Sequence, residues 1–428
     1  MDTRRIAVVV VVGCVWLSSG RAEAQSAATC SYNFNTRVLT VAVNGLAATV
    51  DSDPMGDVTL NGVYCMDPDQ FDTINVVGGA LADKVTFSGR FMPGLAYESD
   101  YDEIEINVDL GAGNDTVSVK MTASYDVAFF QADGLSVNND SDTDIVMTGV
   151  ETAKVYGLGG QDILMANGLV SSAMKVYLYG GNGDDQLYGS PYADYLYGDA
   201  NNDYIEGGAG NDIIYDGNGI DWMLGQDGND RFEQGASKDD TWWYHDTIEG
   251  GAGVDTVDYG DRTNSVTVTV GVGLEPADAD DGEVDEHDMV MADVENVIGG
   301  SGNDTLVGTV GNNKLTGNGG DDDLIGGGGA DTLNGNDGAD FLLGENGPDE
   351  LYGGIGNDIL DGGNGSDGLA GGDGDDQLYD GPGGDISLGE AGNDTFFNLD
   401  GYADIINCGD GTDDAEPDPL DSLTVCEL

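Results

Sequence analysis

GGNGDDQLYG, residues 180–189, holds four glycines, two adjacent aspartates and one aliphatic side chain. Three readings compete for it: a flexible linker, a glycine-rich phosphate loop, or one unit of a periodic array. Laid out in nines from Gly180, the chain falls into register. GGNGDDQLY is followed by GSPYADYLY, GDANNDYIE, GGAGNDIIY, DGNGIDWML and GQDGNDRFE, ending at Glu233. The same phase returns at Gly299 with GGSGNDTLV and holds for eleven units to Phe397. Sixth place is Asp in sixteen of these seventeen units, Asn313 being the exception. Eighth place is apolar in sixteen, Ser387 being the exception. A linker holds no phase over eleven units. A phosphate loop needs Lys-Ser/Thr and a helix after its glycines, whereas here aspartates follow, which repel phosphate.

The beat has a physical basis. Six glycine-rich places closed by Asp can turn tightly, because Gly accepts positive φ at no steric cost. The last three places predict a short strand whose middle side chain faces inward, by the alternation of successive side chains. Two units then make a coil of about eighteen residues, with strands on two faces and turns on two edges. Stacked coils bury ladders such as Leu187, Leu196, Ile205, Ile214 and Leu306, Leu315, Leu324, Leu333. The plainer alternative is that each Asp only caps its own turn by side-chain hydrogen bonds.

Electrostatics argue against that alternative. Aspartates two units apart would stand about 4.8 Å from each other, one strand spacing. Such a pair repels by ~1 kcal/mol in water and ~4 kcal/mol at a partly shielded site. Repeated along both edges, the repulsion disfavours folding unless cations lie between the turns. Carboxylates and turn carbonyls are hard oxygen donors and suit Ca²⁺ better than Mg²⁺, which demands octahedral geometry and keeps its waters. The repeats contain no His or Cys to suggest zinc.

The pattern G-G-x-G-x-D-x-apolar-x, as in Gly207–Tyr215 and Gly353–Asp361, resembles the calcium-binding nonapeptide of the repeats-in-toxin (haemolysin-type) proteins. The resemblance implies an all-β chain: a parallel β-roll, a right-handed solenoid of Gly/Asp-rich nonapeptides holding several Ca²⁺ ions, here with a small N-terminal β domain. It covers 180–233 and 299–397, with weaker units at Gly111–Val119, Gly157–Met165 and Gly250–Asp258. Carried over position by position, it implies metal ligands at Asp185, Asp194, Asp203, Asp212, Asp221 and Asp230 in the first run. In the second run it implies Asp304, Asp322, Asp331, Asp340, Asp349, Asp358, Asp367, Asp376, Asp385 and Asp394. Units with a non-glycine fourth place (Tyr192, Asn201), with Asn313, or with Pro348 before Asp349 depart from the pattern.

Composition narrows the rest. Lys+Arg number 13 against 81 Asp+Glu, a formal net charge of −68. Nucleic acid and anionic lipid both need a basic surface, so neither is an expected partner. Arg4 and Arg5, the apolar Ile6–Leu17 and Ala22-Glu23-Ala24 read as a cleaved export signal over residues 1–24. Val11-Val12-Gly13-Cys14 offers the competing reading of a lipoprotein signal with an anchor at Cys14. Cleavage after Ala24 leaves Cys30, Cys65, Cys408 and Cys426, which suggest two local disulfides, Cys30–Cys65 and Cys408–Cys426. No later segment is apolar enough to span a membrane. Family toxins and proteases typically leave the cell through a C-terminal signal. This leader and cysteine-bearing end look instead like secreted bacterial calcium-binding repeat proteins.

The domain order expected is an N-terminal β domain at 25–109 and degenerate repeats entering the roll at 110–179. The first run at 180–233 follows, then an insertion at 234–298, the second run at 299–397 and a C-terminal cap at 398–428. In the insertion, Trp242-Trp243-Tyr244-His245 reads as a cap on a broken roll end or as a sugar-stacking surface. His245 and His287 read as loop residues. There is no H-E-x-x-H, G-x-S-x-G or CxxC, so no enzyme is expected. The function read here is a secreted calcium-binding protein that folds on extracellular calcium. The alternatives are an adhesion or matrix module meeting surface polysaccharide or protein, and an extracellular hydrolase or polysaccharide-modifying enzyme.

Overall fold

The structure is a computed structural model. It describes residues 105–121, 126–131, 134–136, 145–169, 174–234, 246–271, 281–283, 288–398, 400–417, 419–424 and 426, and short strands before residue 88. Among the described residues every regular element is a β-strand, and no helix is long and apolar enough to cross a membrane. The chain divides into two compact units, Met1–Asp212 and Ile213–Leu428.

In the first unit the strands Ala47–Ser52, Lys84–Phe87, Thr116–Lys120, Thr152–Gly159, Lys175–Asn182 and Tyr195–Ala200 pair in parallel, each with the next. A second parallel series runs Val38–Ala42, Thr73–Gly79, Glu105–Gly111 and Ile145–Thr148. Antiparallel pairs are present too, Thr29–Asn33 with Val38–Ala42 and Ala47–Ser52 with Val58–Leu60. They join a parallel ladder that begins far ahead of the first regular nonapeptide. Tyrosines on successive strands stack on the outer side of this ladder, Tyr156 on Tyr179 and Tyr179 on Tyr197, each with ring centroids 4.5 Å apart.

The second unit carries the regular register. Leu315 pairs with Leu333, Leu333 with Leu351, and Leu351 with Leu369 on one face. On the other, Leu306, Leu324, Leu342, Leu360, Leu378 and Phe396 pair in sequence. Each step is eighteen residues, so a coil is two nonapeptides. All of these side chains are buried. Burying each contributes roughly 1.5–3 kcal/mol relative to exposure, so the central row of place-eight side chains is the core. Many strands are longer than the three residues the beat predicts. Lys314–Gly319, Thr332–Asp337 and Phe341–Asn346 run six residues, from place seven through place three of the next unit. The ladder hydrogen bonds continue past the place-one glycine.

Residues 234–298 do not end the roll. On one face Arg231–Glu233, Thr256–Asp258, Asn296–Ile298 and Lys314–Gly319 pair in an unbroken parallel ladder. On the other face the series Trp222–Asp227, Thr247–Ala252, Met289–Val290 is separate from the series that starts at Val266–Thr269 and continues with Thr305–Val307. The chain thus makes longer loops between coils while one sheet carries through. Trp242–His245 and His287 lie outside the described residues.

The C-terminal segment extends the roll too. Ile405–Asn407 pairs with Ile386–Ala391, Asp414–Pro417 with Thr395–Asn398, and Ser422–Thr424 with Ile405–Asn407. The disulfide Cys408–Cys426 closes a separation of 18 residues, one coil, and so ties neighbouring coils together. Closing a loop of that size contributes on the order of 3 kcal/mol in the chain-entropy account. Cys14 and the rest of residues 1–24, apart from Val9–Val10, and the side chains of Cys30 and Cys65 lie outside the described residues.

Candidate metal centre in the turn columns

The place-six aspartates are where an ordinary folded protein would not put them. All sixteen named from the sequence are buried, none with more than 4% of its surface exposed. They stand in columns along the edges, and one bond recurs. In fourteen of them the backbone N–H donates to Oδ1 of the Asp one coil further on. In one column Asp304 donates to Asp322 at 2.7 Å, Asp322 to Asp340 at 2.8 Å, Asp340 to Asp358 at 2.8 Å and Asp358 to Asp376 at 2.8 Å. In the other, Asp331 donates to Asp349 at 2.8 Å, Asp349 to Asp367 at 2.9 Å and Asp367 to Asp385 at 2.7 Å. In the first unit Asp185 donates to Asp203 at 2.7 Å and Asp194 to Asp212 at 2.8 Å. The main bond of the carboxylate is therefore to its neighbouring coil, and the turn-capping alternative does not describe it.

That bond uses one oxygen. The other, Oδ2, is buried without a hydrogen-bond partner at Asp185, Asp322, Asp331, Asp340, Asp349, Asp358, Asp367, Asp376, Asp385 and Asp394. Leaving a buried charged acceptor unmet costs more than the ~1–3 kcal/mol of a neutral one. The glycine pattern shows what this oxygen faces. A Cβ built on Gly353, at place one, would lie 2.4 Å from Asp358 Oδ2 and 2.5 Å from the carbonyl oxygen of Gly371. Place one is glycine in fifteen of the seventeen units, Asp216 and Asp380 being the exceptions, because carboxylate and carbonyl oxygens of two coils close in on it. Place four has a second reason: Gly356 has φ 150°, and a Cβ there would sit 1.4 Å from the Gly338 carbonyl oxygen.

Without a counter-charge these carboxyls resist ionisation. Burial first, then neighbouring aspartates, push Asp322 to about 7, Asp367 to about 7 and Asp376 to about 7. Asp331, Asp340 and Asp385 are raised to about 6 and Asp203 to about 9, again chiefly by burial. Accepting the backbone N–H of the preceding coil opposes the shift and does not cancel it. A row of half-satisfied buried carboxylates, with turn carbonyls alongside, is an all-oxygen donor set that fits Ca²⁺.

Two predicted positions differ. Oδ2 of Asp304 accepts from the Gly300 N–H in its own turn at 2.6 Å, and Oδ2 of Asp194 accepts from the Ser190 N–H. The Asn313 carboxamide likewise accepts from Thr309 N–H at 2.7 Å. These side chains are partly spent on their own turns.

The columns have further members outside the two regular runs: Asp162 and Asp255 hold place six of the weaker units Gly157–Met165 and Gly250–Asp258, and the others were missed by the nine-residue phase. Asp162 N–H donates to Asp185 Oδ1 at 2.6 Å and Asp126 N–H to Asp162 Oδ1 at 2.7 Å. Asp115 donates to Glu151 Oε2, Asp221 to Asp246, Asp230 to Asp255, and Asp255 to Glu295 Oε2, all at 2.6–2.8 Å. Beyond the last regular unit Asp385 donates to Asp404 at 2.8 Å and Asp394 to Asp413 at 3.1 Å. The unit expected at Gly111–Val119 sits one residue earlier, with Asp115 in the ligand-like place and Val117 buried. The findable signal was an acid two residues before a buried apolar side chain, as in Asp162-Ile-Leu164, Asp255-Thr-Val257, Glu295-Asn-Val297 and Asp404-Ile-Ile406. It needs no nine-residue count.

The family model of the RTX calcium-binding nonapeptide repeat (four copies) matches residues 179–214, 206–239, 244–261, 298–333, 334–369 and 366–396. No curated protein matches the chain. The matched segments include 244–261, where the loops lengthen and the ladder continues. With the repeats stacked in parallel and the buried carboxylates in column, the chain carries RTX calcium-binding nonapeptide repeats between residues 179 and 396, folded as a parallel β-roll.

Proposed function

We propose that the chain is an exported, non-catalytic protein whose roll forms when the turn columns take up calcium outside the cell. The observation that carries this reading is the row of buried Oδ2 atoms without hydrogen-bond partners from Asp322 to Asp394. Bound calcium supplies the positive charge that these oxygens lack. The residues assigned to hold it are the place-six aspartates Asp185 to Asp394 named above, with Asp162, Asp255 and Asp404 added from the columns, together with place-one carbonyls. Asp194 and Asp304, bonded within their own turns, contribute least.

Export before folding follows from the same electrostatics. At a formal net charge of −68 the chain repels itself, and where calcium is scarce it stays extended. Sites as weak as ~10⁻⁴–10⁻³ M fill at extracellular calcium, and many of them stabilise the fold together by mass action. The leader ending at Ala24 supports export through a cleaved signal. The turn columns hold carboxylates committed in ladders by backbone N–H groups, which supports a binding role for them.

The test is calcium content and N-terminal sequencing of the chain recovered from culture medium. The reading expects a start at Gln25 and several calcium ions per chain. A chain retained in the cell, or recovered free of calcium after dialysis against millimolar calcium, contradicts it.

A further inference from the structure

The unit DGPGGDISL, residues 380–388, breaks the rule that place one is glycine. At Gly353, Gly371 and Gly389 a Cβ would lie 2.3–2.4 Å from the Oδ2 of the Asp five residues later. Asp380 puts a whole carboxyl group there, wholly buried. One carboxylate oxygen each from Asp380, Asp385 and Asp404 lie within 4.8 Å of one another. Their Oδ1 atoms are committed: Asp380 accepts from Gly381 N–H at 2.9 Å, Asp385 from Asp367 N–H at 2.7 Å, and Asp404 from Asp385 N–H at 2.8 Å. Their Oδ2 atoms have no hydrogen-bond partner.

A second observation points to a ligand at the same place. Tyr379 pairs with Phe397 on the adjacent strand, and their rings stack with centroids 4.3 Å apart. The residues that follow, Asp380 and Asn398, are therefore neighbours across the coils. Asn398 is wholly buried, and neither its Oδ1 nor its Nδ2 has a hydrogen-bond partner. A buried, bare carboxamide on the strand next to Asp380, whose carboxylate lies near those of Asp385 and Asp404, makes a poor hydrophobic core and a good set of oxygen donors.

We infer that Asp380, Asp385, Asp404 and the Asn398 carboxamide form a second kind of cation site, which takes a hard divalent cation more tightly than the single-carboxylate turns. The inference rests on the reading that place-six aspartates bind calcium, and adds Asp380 and Asn398 to it. Ligand charge count is a main lever on calcium affinity, and this cage holds three carboxylates where the neighbouring turns present one oxygen at place one. The alternative is a carboxyl that keeps its proton and binds nothing.

The test is a calcium isotherm of the full oxidised chain, read by competition with a chromophoric chelator, with far-ultraviolet circular dichroism on the same samples. The wild type should show one ion held roughly tenfold or more tighter than the rest. Asp380→Gly, which restores the residue found at place one of every other regular unit except that of Asp216, and Asn398→Ala should lose that tight class while keeping the remaining ions and the β spectrum. Asp380→Asn keeps the side chain's shape and makes the same prediction if the glycine variant does not fold. A wild type with a single affinity class overturns the site, as does an Asp380→Gly or Asp380→Asn chain that keeps the tight ion. A wild type that binds no calcium at all overturns the reading of the repeats as well, so the two failures are distinguishable.

Discussion

The backbone N–H of Asp340 donates to Oδ1 of Asp358, one coil away, at 2.8 Å, while Oδ2 of Asp358 remains buried and without a hydrogen-bond partner. One oxygen of the side chain belongs to the fold and the other is left for a ligand. The two roles separate by substitution. Asp340→Asn keeps an oxygen for the Asp322 N–H and removes the charge, so it should lower bound-calcium stoichiometry while the calcium-loaded chain keeps its β spectrum. Asp340→Ala removes both and should in addition destabilise the loaded roll by about 1–3 kcal/mol in a urea titration. Unchanged stoichiometry in both variants would remove Asp340 from the ligand set.

The raised carboxyls make the calcium-free roll sensitive to pH in a definite direction. A group whose pKa is higher in the folded chain than its usual 3.8 stabilises the fold below that value and loses the contribution as pH rises through the folded pKa. Asp331, Asp340 and Asp385 rise to about 6, and Asp322, Asp367 and Asp376 to about 7. In EGTA, β structure should therefore be retained near pH 4 and lost between about pH 4 and 7. Calcium affinity should run the other way, falling as the same carboxyls protonate below about 7. Circular dichroism and calcium-electrode titrations across pH 4–8 read both. A calcium-free roll more stable at pH 7 than at pH 4 would reverse the sign.

Glycine places are not equal. Gly356 has φ 150° and no room for a Cβ, whereas the nearest neighbour of a Cβ on Gly319 is 3.8 Å away and that residue's backbone is not left-handed. Gly356→Ala should cost at least about 1–3 kcal/mol of backbone strain alone. Gly319→Ala should be neutral or slightly stabilising by up to about 1 kcal/mol. Thermal midpoints in saturating calcium compare the two.

The core makes opposite predictions at two places of the same kind. Leu342 is fully buried in its ladder, so Leu342→Ala should destabilise the loaded roll by about 2–5 kcal/mol. Ser387 occupies the corresponding place between Leu369 and Ile406, wholly buried with its Oγ unpartnered. Ser387→Ala should leave stability unchanged or raise it by about 1 kcal/mol. Urea midpoints in calcium decide both.

The sequence made the repeat legible because three constraints recur on one count. Glycine at place one is forced by two oxygens, at place four by φ, and the leucine ladder by the core, so 180–233 and 299–397 could be phased from residues alone. What the count could not see were coils of unequal length. Asp246, Asp255 and Glu295 keep their place in the columns although their coils are longer than eighteen residues, because the parallel ladder continues from coil to coil. Asp404 and Asp413 stand 19 residues after Asp385 and Asp394, one residue out of phase, and the ladder absorbs the extra residue in the turn. The strand length was underestimated because places one to three were read as turn, whereas their backbone still pairs with the next coil. The cage at Asp380 was hidden by its own irregularity. An aspartate in a glycine's place looks like decay of the repeat until Asp385, Asp404 and Asn398 are seen around it.

Calcium-dependent folding is tested most directly by far-ultraviolet circular dichroism of the mature chain at pH 7.5, first in EGTA and then on return to millimolar calcium. The account predicts a coil spectrum in EGTA and a cooperative, reversible gain of β signal over the millimolar range. A β spectrum of the same amplitude in EGTA and in calcium would contradict it.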